Sequence, residues 1–117
     1  MEEDAYIHGQ LIINASFSHL AQLLSEAGFQ SEIRQSCHYE GGQYLSLRSP
    51  NKARWTFEKI GNEEYLITAD EQAMPQLHAF ATLLSSFFSQ HNWRHRLEIY
   101  NAKDELMYYL HYHWSAA

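Results

Sequence analysis

Residues 94–100 read RHRLEIY, and the charged side chains of this stretch all fall at even positions. The apolar residues Leu97 and Ile99 fall at odd positions, between and after Arg94, Arg96 and Glu98. Successive side chains of a β-strand point to opposite faces of the sheet. The pattern therefore predicts a strand over residues 93–101, with one face in the core and the other face uncovered and charged.

The following run, residues 105–114, predicts a second strand that pairs with the first across a tight turn at Ala102 and Lys103. A register that pairs Tyr100 with Glu105 satisfies the pattern of both strands. It pairs Leu97 with Tyr108 and Ile99 with Leu106 on the core side, and Arg96 with Tyr109 and Arg94 with His111 on the outer side.

Five more strands are predicted outside this hairpin. Each is a short run rich in strand-forming residues that either alternates apolar and polar side chains or is bounded by turn-forming residues. These runs lie at 6–14, 30–39, 44–48, 54–60 and 64–69.

Two stretches have the apolar spacing of amphipathic helices. Ser16 is a suitable N-cap for the first helix, and Gly28 ends it. The second helix runs from about Met74 to His91, with Pro75 in its first turn, where proline is tolerated. The predicted element order is β-α-β-β-β-β-α-β-β. This order corresponds to an α+β fold, a two-layer sandwich in which a mainly antiparallel sheet carries two helices on one face.

The chain is expected to form a single α+β domain, residues 1–117, because no linker or composition shift divides it. Residues 1–5 are expected to be a flexible, acidic N-terminus. The architecture is similar to that of secretion-chaperone-like folds, from which it departs by an extra first strand and a missing last helix.

Composition and charge limit the classes of function. Hydrophobic residues make up 45% and charged residues 19% of the chain, as in globular proteins. Cys37 is the only cysteine, and neither a secretory signal nor a membrane-spanning run is found, so a cytoplasmic location is expected. The net charge of −6, from 14 acidic and 8 basic residues, argues against nucleic-acid binding, which needs a basic surface.

All five arginines lie at even positions in or beside predicted strands, opposite the apolar residues. Because arginine binds carboxylates in a bidentate way and tyrosine is enriched at interfaces, this face is predicted to bind a protein partner or a second copy of the chain. The alternative is a solvated face on which Glu32, Glu58 and Glu98 pair with the arginines. The predicted partner-binding residues are Arg34, Arg48, Arg94, Arg96, Tyr100 and Tyr109; Arg54, Tyr44, His38, His111 and His113 are predicted to share their face.

The eight histidines support a second hypothesis, a small-ligand- or metal-binding protein. In the register above, His91 comes near His111 and His113, and imidazole is the commonest metal ligand near neutral pH. Specific zinc motifs have a pair of ligands at each end of the motif, and this chain has no such pairs. The alternative is that the histidines are simply exposed, and no cofactor is predicted. A pocket between sheet and helices is the other place for a small-molecule ligand.

No group of catalytic residues is found in the sequence. Cys37 and His38 are adjacent on a predicted strand, so their side chains would point to opposite faces and could not share a proton. Cys37 is therefore predicted to be an inert core residue. The sequence predicts a small cytosolic interaction module of chaperone, adaptor or immunity type rather than an enzyme.

Overall fold

The computed structural model describes residues 4–38 and 42–114, and within these ranges the chain forms eight β-strands and two α-helices. The predicted α+β class and element order are confirmed, with one additional two-residue strand before the second helix. The elements are β1 (Asp4–Ile12), α1 (Phe17–Glu26), β2 (Gln30–Gln35), β3 (Gln43–Arg48), β4 (Arg54–Lys59), β5 (Glu64–Ala69), β6 (Gln72–Ala73), α2 (Met74–Gln90), β7 (Arg94–Tyr100) and β8 (Leu106–Tyr112).

The strands form one antiparallel sheet in the order β2-β3-β4-β5-β1-β7-β8, and β6 pairs with the beginning of β1. The first strand of the chain thus lies inside the sheet, between β5 and β7. Strands β2 and β8 form the two edges among the described residues. No described helix is long and apolar enough to cross a membrane.

Both helices pack on the same face of the sheet. Phe17 of α1 contacts Tyr65 of β5, with 5.4 Å between ring centroids. Trp55 of β4 contacts Phe80 of α2 at 4.9 Å. Large side chains buried in this way stabilise the fold by about 1.5–3 kcal/mol each relative to exposure. The opposite face, which we call the open face, carries no helix within the described residues.

The first helix begins and ends where the sequence predicts. The hydroxyl of Ser16 accepts a hydrogen bond from the backbone N–H of His19, at 3.2 Å. Gly28 follows the helix with φ of +96°, a conformation that favours glycine because it has no Cβ.

Two predictions about strand ends need correction. The strand β1 runs from Asp4 to Ile12 rather than over residues 6–14, and Ala5 is buried beside β6; residues 1–3 of the N-terminal segment lie outside the described ranges. The strand β2 ends at Gln35, before the predicted end at residue 39; the N–H of Ser36 still donates to the carbonyl of Gly42, and the chain turns at Cys37 and His38. Cys37 is consequently exposed, and its prediction as a core residue was wrong.

The predicted register of β7 and β8 was wrong by two residues. Leu97 pairs with Leu110, and Arg96 pairs with His111. The connecting loop contains the predicted tight turn at Ala102 and Lys103, where the N–H of Asp104 donates to the carbonyl of Asn101 at 3.0 Å; the register changes because Asp104 adopts φ of +61° and Asn101 Oδ1 accepts hydrogen bonds from two backbone N–H groups. An irregularity in the ladder near Tyr100 adds to the shift. The shift of two residues keeps Tyr108 to Tyr112 on their predicted faces, whereas Leu106 now lies opposite Tyr100 on the open face instead of opposite Ile99 on the core side.

Candidate partner-binding surface

The five arginines lie on the open face, but they form two separate groups. Arg94 and Arg96 lie on β7, whereas the other three lie on β2, β3 and β4. Strands β5 and β1 lie between the groups, which puts β4 and β7 three strand spacings, roughly 14 Å, apart. The structure therefore does not join the predicted residues Arg34 and Arg48 to those on β7.

The arginines of β7 are gathered over one indole ring. The guanidinium carbon of Arg94 lies 4.6 Å from the ring centroid of Trp114, and that of Arg96 lies 5.0 Å from it. The Nε of Arg94 donates to the backbone carbonyl of His113 at 3.1 Å, and the Nε of Arg96 donates to Gln10 Oε1 at 2.7 Å. Each cation is thus held by one hydrogen bond and by an attraction to the π-system of about 0.5–2 kcal/mol.

Two further rings extend this group along β8. Tyr109 and His111 stack with 4.7 Å between their centroids and an angle of 27° between their planes. His111 also lies directly opposite Arg96 across the β7–β8 ladder. We call the resulting surface the Arg/aromatic platform and define it as Arg94, Arg96, Tyr109, His111 and Trp114.

The predicted site residue Tyr100 lies one row away from the platform. It stacks on Tyr6 of β1 at 5.1 Å, and the hydroxyl of Tyr6 donates to Asp104 Oδ1 at 2.7 Å. Burial, followed by the charge of Glu98, raises the pKa of Tyr100, so its hydroxyl stays protonated at neutral pH. Tyr100 therefore flanks the platform as a neutral aromatic residue.

Trp114 was missed by sequence reasoning, and its position has a local cause. Strict alternation along β8 assigns even-numbered residues to the core side. His113, however, adopts φ of +52°, which interrupts the alternation and turns Trp114 towards the two arginines. Histidine is one of the residue types enriched in this conformation, but the sequence gives no signal for it at a particular position.

Glu98 follows Arg96 on the same face and lies opposite Tyr109, but it forms no ion pair with either arginine of the platform. Within residues 4–38 and 42–114, no carboxylate lies within ion-pair distance of Arg94 or Arg96; the ion pair found there joins Arg34 to Glu32 at 3.1 Å. The predicted alternative, a face of paired charges, thus holds for Arg34. It does not hold for the two arginines over Trp114.

The second arginine group borders a shallow cleft. Arg48 and Arg54 face each other across β3 and β4, and Arg48 Nη1 donates to the carbonyl of Lys52 at 3.1 Å. Beside Arg48, a cleft of about 380 Å³ opens between the end of α1, the turn after β3 and α2. Its lining includes Phe29, Pro50, Phe80 and Leu83.

The three histidines of the metal hypothesis do not come together. His91 follows α2 and stacks on Trp93 at 4.8 Å, beside Phe87 of the core. His111 lies on the open face, stacked on Tyr109, and His113 follows the end of the same strand. No three histidine, cysteine, aspartate or glutamate side chains in the described part of the chain are placed to hold a metal ion.

A hydrogen bond between half-buried Ser85 and buried His95 lies under the sheet, on the helix side. His95 is fully buried; its Nε2 lies 2.8 Å from Ser85 Oγ, and its Nδ1 lies 2.9 Å from the carbonyl of Trp93. The carbonyl can only accept, so Nδ1 carries the proton and Nε2 accepts from the serine. Desolvation is the main cause that lowers the pKa of His95, and the ring stays neutral. Neither residue lines the cleft, and the pair bonds α2 to β7.

We expect this histidine to make stability depend on pH. Its pKa is lower in the folded state than in the unfolded state, where it is about 6.5. The contribution of neutral His95 to the free energy of unfolding should therefore be fully present above about pH 6.5. Below that pH the free energy of unfolding should fall by up to about 1.4 kcal/mol per pH unit. Urea denaturation between neutral and acidic pH measures this slope. His95→Gln should flatten the slope, and an equal slope in the variant would contradict the assignment.

Comparison of the chain with protein-family models, with curated proteins and with solved structures found no match.

Proposed function

We propose that the protein is a non-enzymatic interaction module that binds an acidic segment of a partner protein through the Arg/aromatic platform. One observation carries this proposal. Two guanidinium groups lie over Trp114, each anchored through Nε, and no carboxylate ion pair uses their charge within the described residues.

The composition of the platform favours protein binding. Arginine, tryptophan and tyrosine are the residue types that most often dominate binding energy at interfaces. The Nε–H of each arginine is occupied by Gln10 or by the carbonyl of His113, which leaves the two terminal amino groups for a bidentate carboxylate. Because both side chains are already held in place, less conformational entropy is lost when they bind.

The overall charge favours a protein partner over a nucleic acid. The chain has a net charge of −6, and repulsion from its acidic surface opposes a long polyanion. A short acidic segment with aromatic residues matches the platform better, because its carboxylates meet the arginines and its rings meet Trp114 and Tyr109. A cytoplasmic role of chaperone, adaptor or immunity type is part of this proposal.

A second candidate function rests on the cleft beside Arg48. Its apolar lining, which includes the 56% exposed Leu83, together with a cation at the rim, suits a small amphipathic carboxylate. The cleft lies on the helix side of the sheet edge, away from the platform, so single substitutions separate the two sites.

Selection of peptides from a random display library on the immobilised protein tests the proposal. We expect enriched sequences that combine aspartate or glutamate with aromatic residues, and we expect their binding to weaken as the ionic strength rises from about 0.1 to about 1 M. Leu83→Asp is the matched control for the cleft and should leave the affinity unchanged. A consensus without acidic residues, or an affinity lost in Leu83→Asp, would contradict the platform as the binding site.

A further inference from the structure

The edge strand β8 lacks the features that normally protect a sheet edge. Its sequence is LMYYLHY, and no aspartate, glutamate, lysine, arginine or proline occurs from residue 106 to the end of the chain. Leu106, Met107 and Tyr108 are 42%, 50% and 39% exposed. The opposite edge, β2, carries the Glu32–Arg34 ion pair. Edge strands usually avoid association through charges, prolines or short length.

The backbone of β8 is also regular enough to accept another strand. From Tyr108 to Tyr112 each residue pairs with β7 without a register shift; the irregularity precedes this segment. In an antiparallel ladder every second residue directs its N–H and C=O away from the neighbouring strand. On β8 these groups point outwards, where no described strand lies.

We propose that β8 pairs antiparallel with β8 of a second copy of the chain, related by a twofold axis at Tyr109. An axis centred on a residue pairs odd-numbered positions of one copy with odd-numbered positions of the other, and even with even. Paired side chains therefore lie on the same side, and each face of the sheet continues across the interface. On the helix side Tyr108, which stacks on His78 at 3.7 Å, meets Leu110 of the second copy. On the open face the two Tyr109 rings meet, and Leu106 and Met107, which lie at the ladder irregularity, approach the last residues of β8 of the second copy.

The charges at the two ends of β8 agree with this arrangement. Asp104 and Glu105 precede the strand, whereas His113 follows it and accepts a hydrogen bond from Arg94. An antiparallel pairing about Tyr109 brings the acidic end of each β8 towards the end of the other β8 that lies beside Arg94, so opposite charges meet twice. A parallel arrangement would instead bring like charges together, which is unfavourable. The interface is therefore complementary to itself.

The dimer would extend the surface proposed above without depending on it. The β8 strands of the two copies become neighbours, so two Arg/aromatic platforms lie side by side on one continuous open face. A partner with two acidic segments would then gain avidity from simultaneous binding.

Light scattering of the purified full chain tests the dimer. We expect a mass of about twice 13.7 kDa, with amide hydrogen exchange of β8 slowing as protein concentration rises. Leu106→Lys combined with Met107→Lys should weaken dimerisation at least tenfold while the circular dichroism spectrum stays that of the folded chain; the melting temperature of the variant should no longer rise with protein concentration, as it does for a dimer. Leu83→Lys, an exposed apolar residue on α2, is the matched control and should remain dimeric.

Two results would overturn the inference: a wild-type chain that is monomeric at its highest soluble concentration, or a dimer that persists in the double lysine variant. The variant also separates this inference from the proposed function. As a folded monomer it retains the residues of the platform, so it should still bind the selected peptides.

Discussion

Replacing Phe88 with alanine is expected to lower the free energy of unfolding by about 3–5 kcal/mol. Phe88 is fully buried on α2 and joins the two layers of the fold. Its ring lies 6.2 Å from that of Phe57 on β4 and 5.1 Å from that of His95 on β7. Removing the ring leaves a cavity between helix and sheet that the rigid strands cannot fill, which adds to the lost transfer free energy.

Urea denaturation with linear extrapolation measures this loss. Ser86→Ala is the matched control, because Ser86 is exposed on the same helix and its replacement should change stability by less than about 0.5 kcal/mol. A loss of less than about 1 kcal/mol for Phe88→Ala would be typical of an ordinary substitution and would contradict a helix layer packed on this face of the sheet.

The alternation of side chains in the sequence predicted the two faces of the sheet. Leu97 and Ile99 are fully buried, and Arg94 and Arg96 lie on the opposite face, as the even and odd positions of residues 94–100 indicate. Alternation succeeds here because it depends only on strand geometry and on the cost of burying a charge. It needs no knowledge of which strands are neighbours.

The arrangement of the binding surface could not be predicted in the same way. The two arginine groups are separated because β1 pairs with both β5 and β7, and such long-range pairing leaves no local pattern in the sequence. The β7–β8 register depends on hydrogen bonds to Asn101 Oδ1 and on the left-handed conformation of Asp104. Trp114 reaches the open face through one dihedral angle at His113. Each of these features is set by a single residue's conformation or by tertiary contacts.

The platform itself is expected to show the largest effect on binding. Replacing Arg94 and Arg96 together with alanine should weaken the selected acidic peptide at least ~100-fold, because central arginines at interfaces contribute ~2 kcal/mol or more each. The fold should be retained, since the substitutions remove one hydrogen bond of Arg94, to the carbonyl of His113, and one of Arg96, to Gln10, together with the contacts of both to Trp114. Circular dichroism and thermal melting provide that check.

The decisive measurement is calorimetric titration of one selected peptide into the wild-type chain, the Arg94→Ala/Arg96→Ala variant and a matched Arg48→Ala/Arg54→Ala variant. The matched variant removes the same charge from the same sheet face, in the other arginine group. We expect the Arg94→Ala/Arg96→Ala variant to lose its affinity for the peptide. The Arg48→Ala/Arg54→Ala variant should keep its affinity within about threefold, a smaller change than the loss of one interfacial hot spot causes. Equal losses in both variants would show attraction by net charge alone, and full affinity without Arg94 and Arg96 would place the binding surface elsewhere.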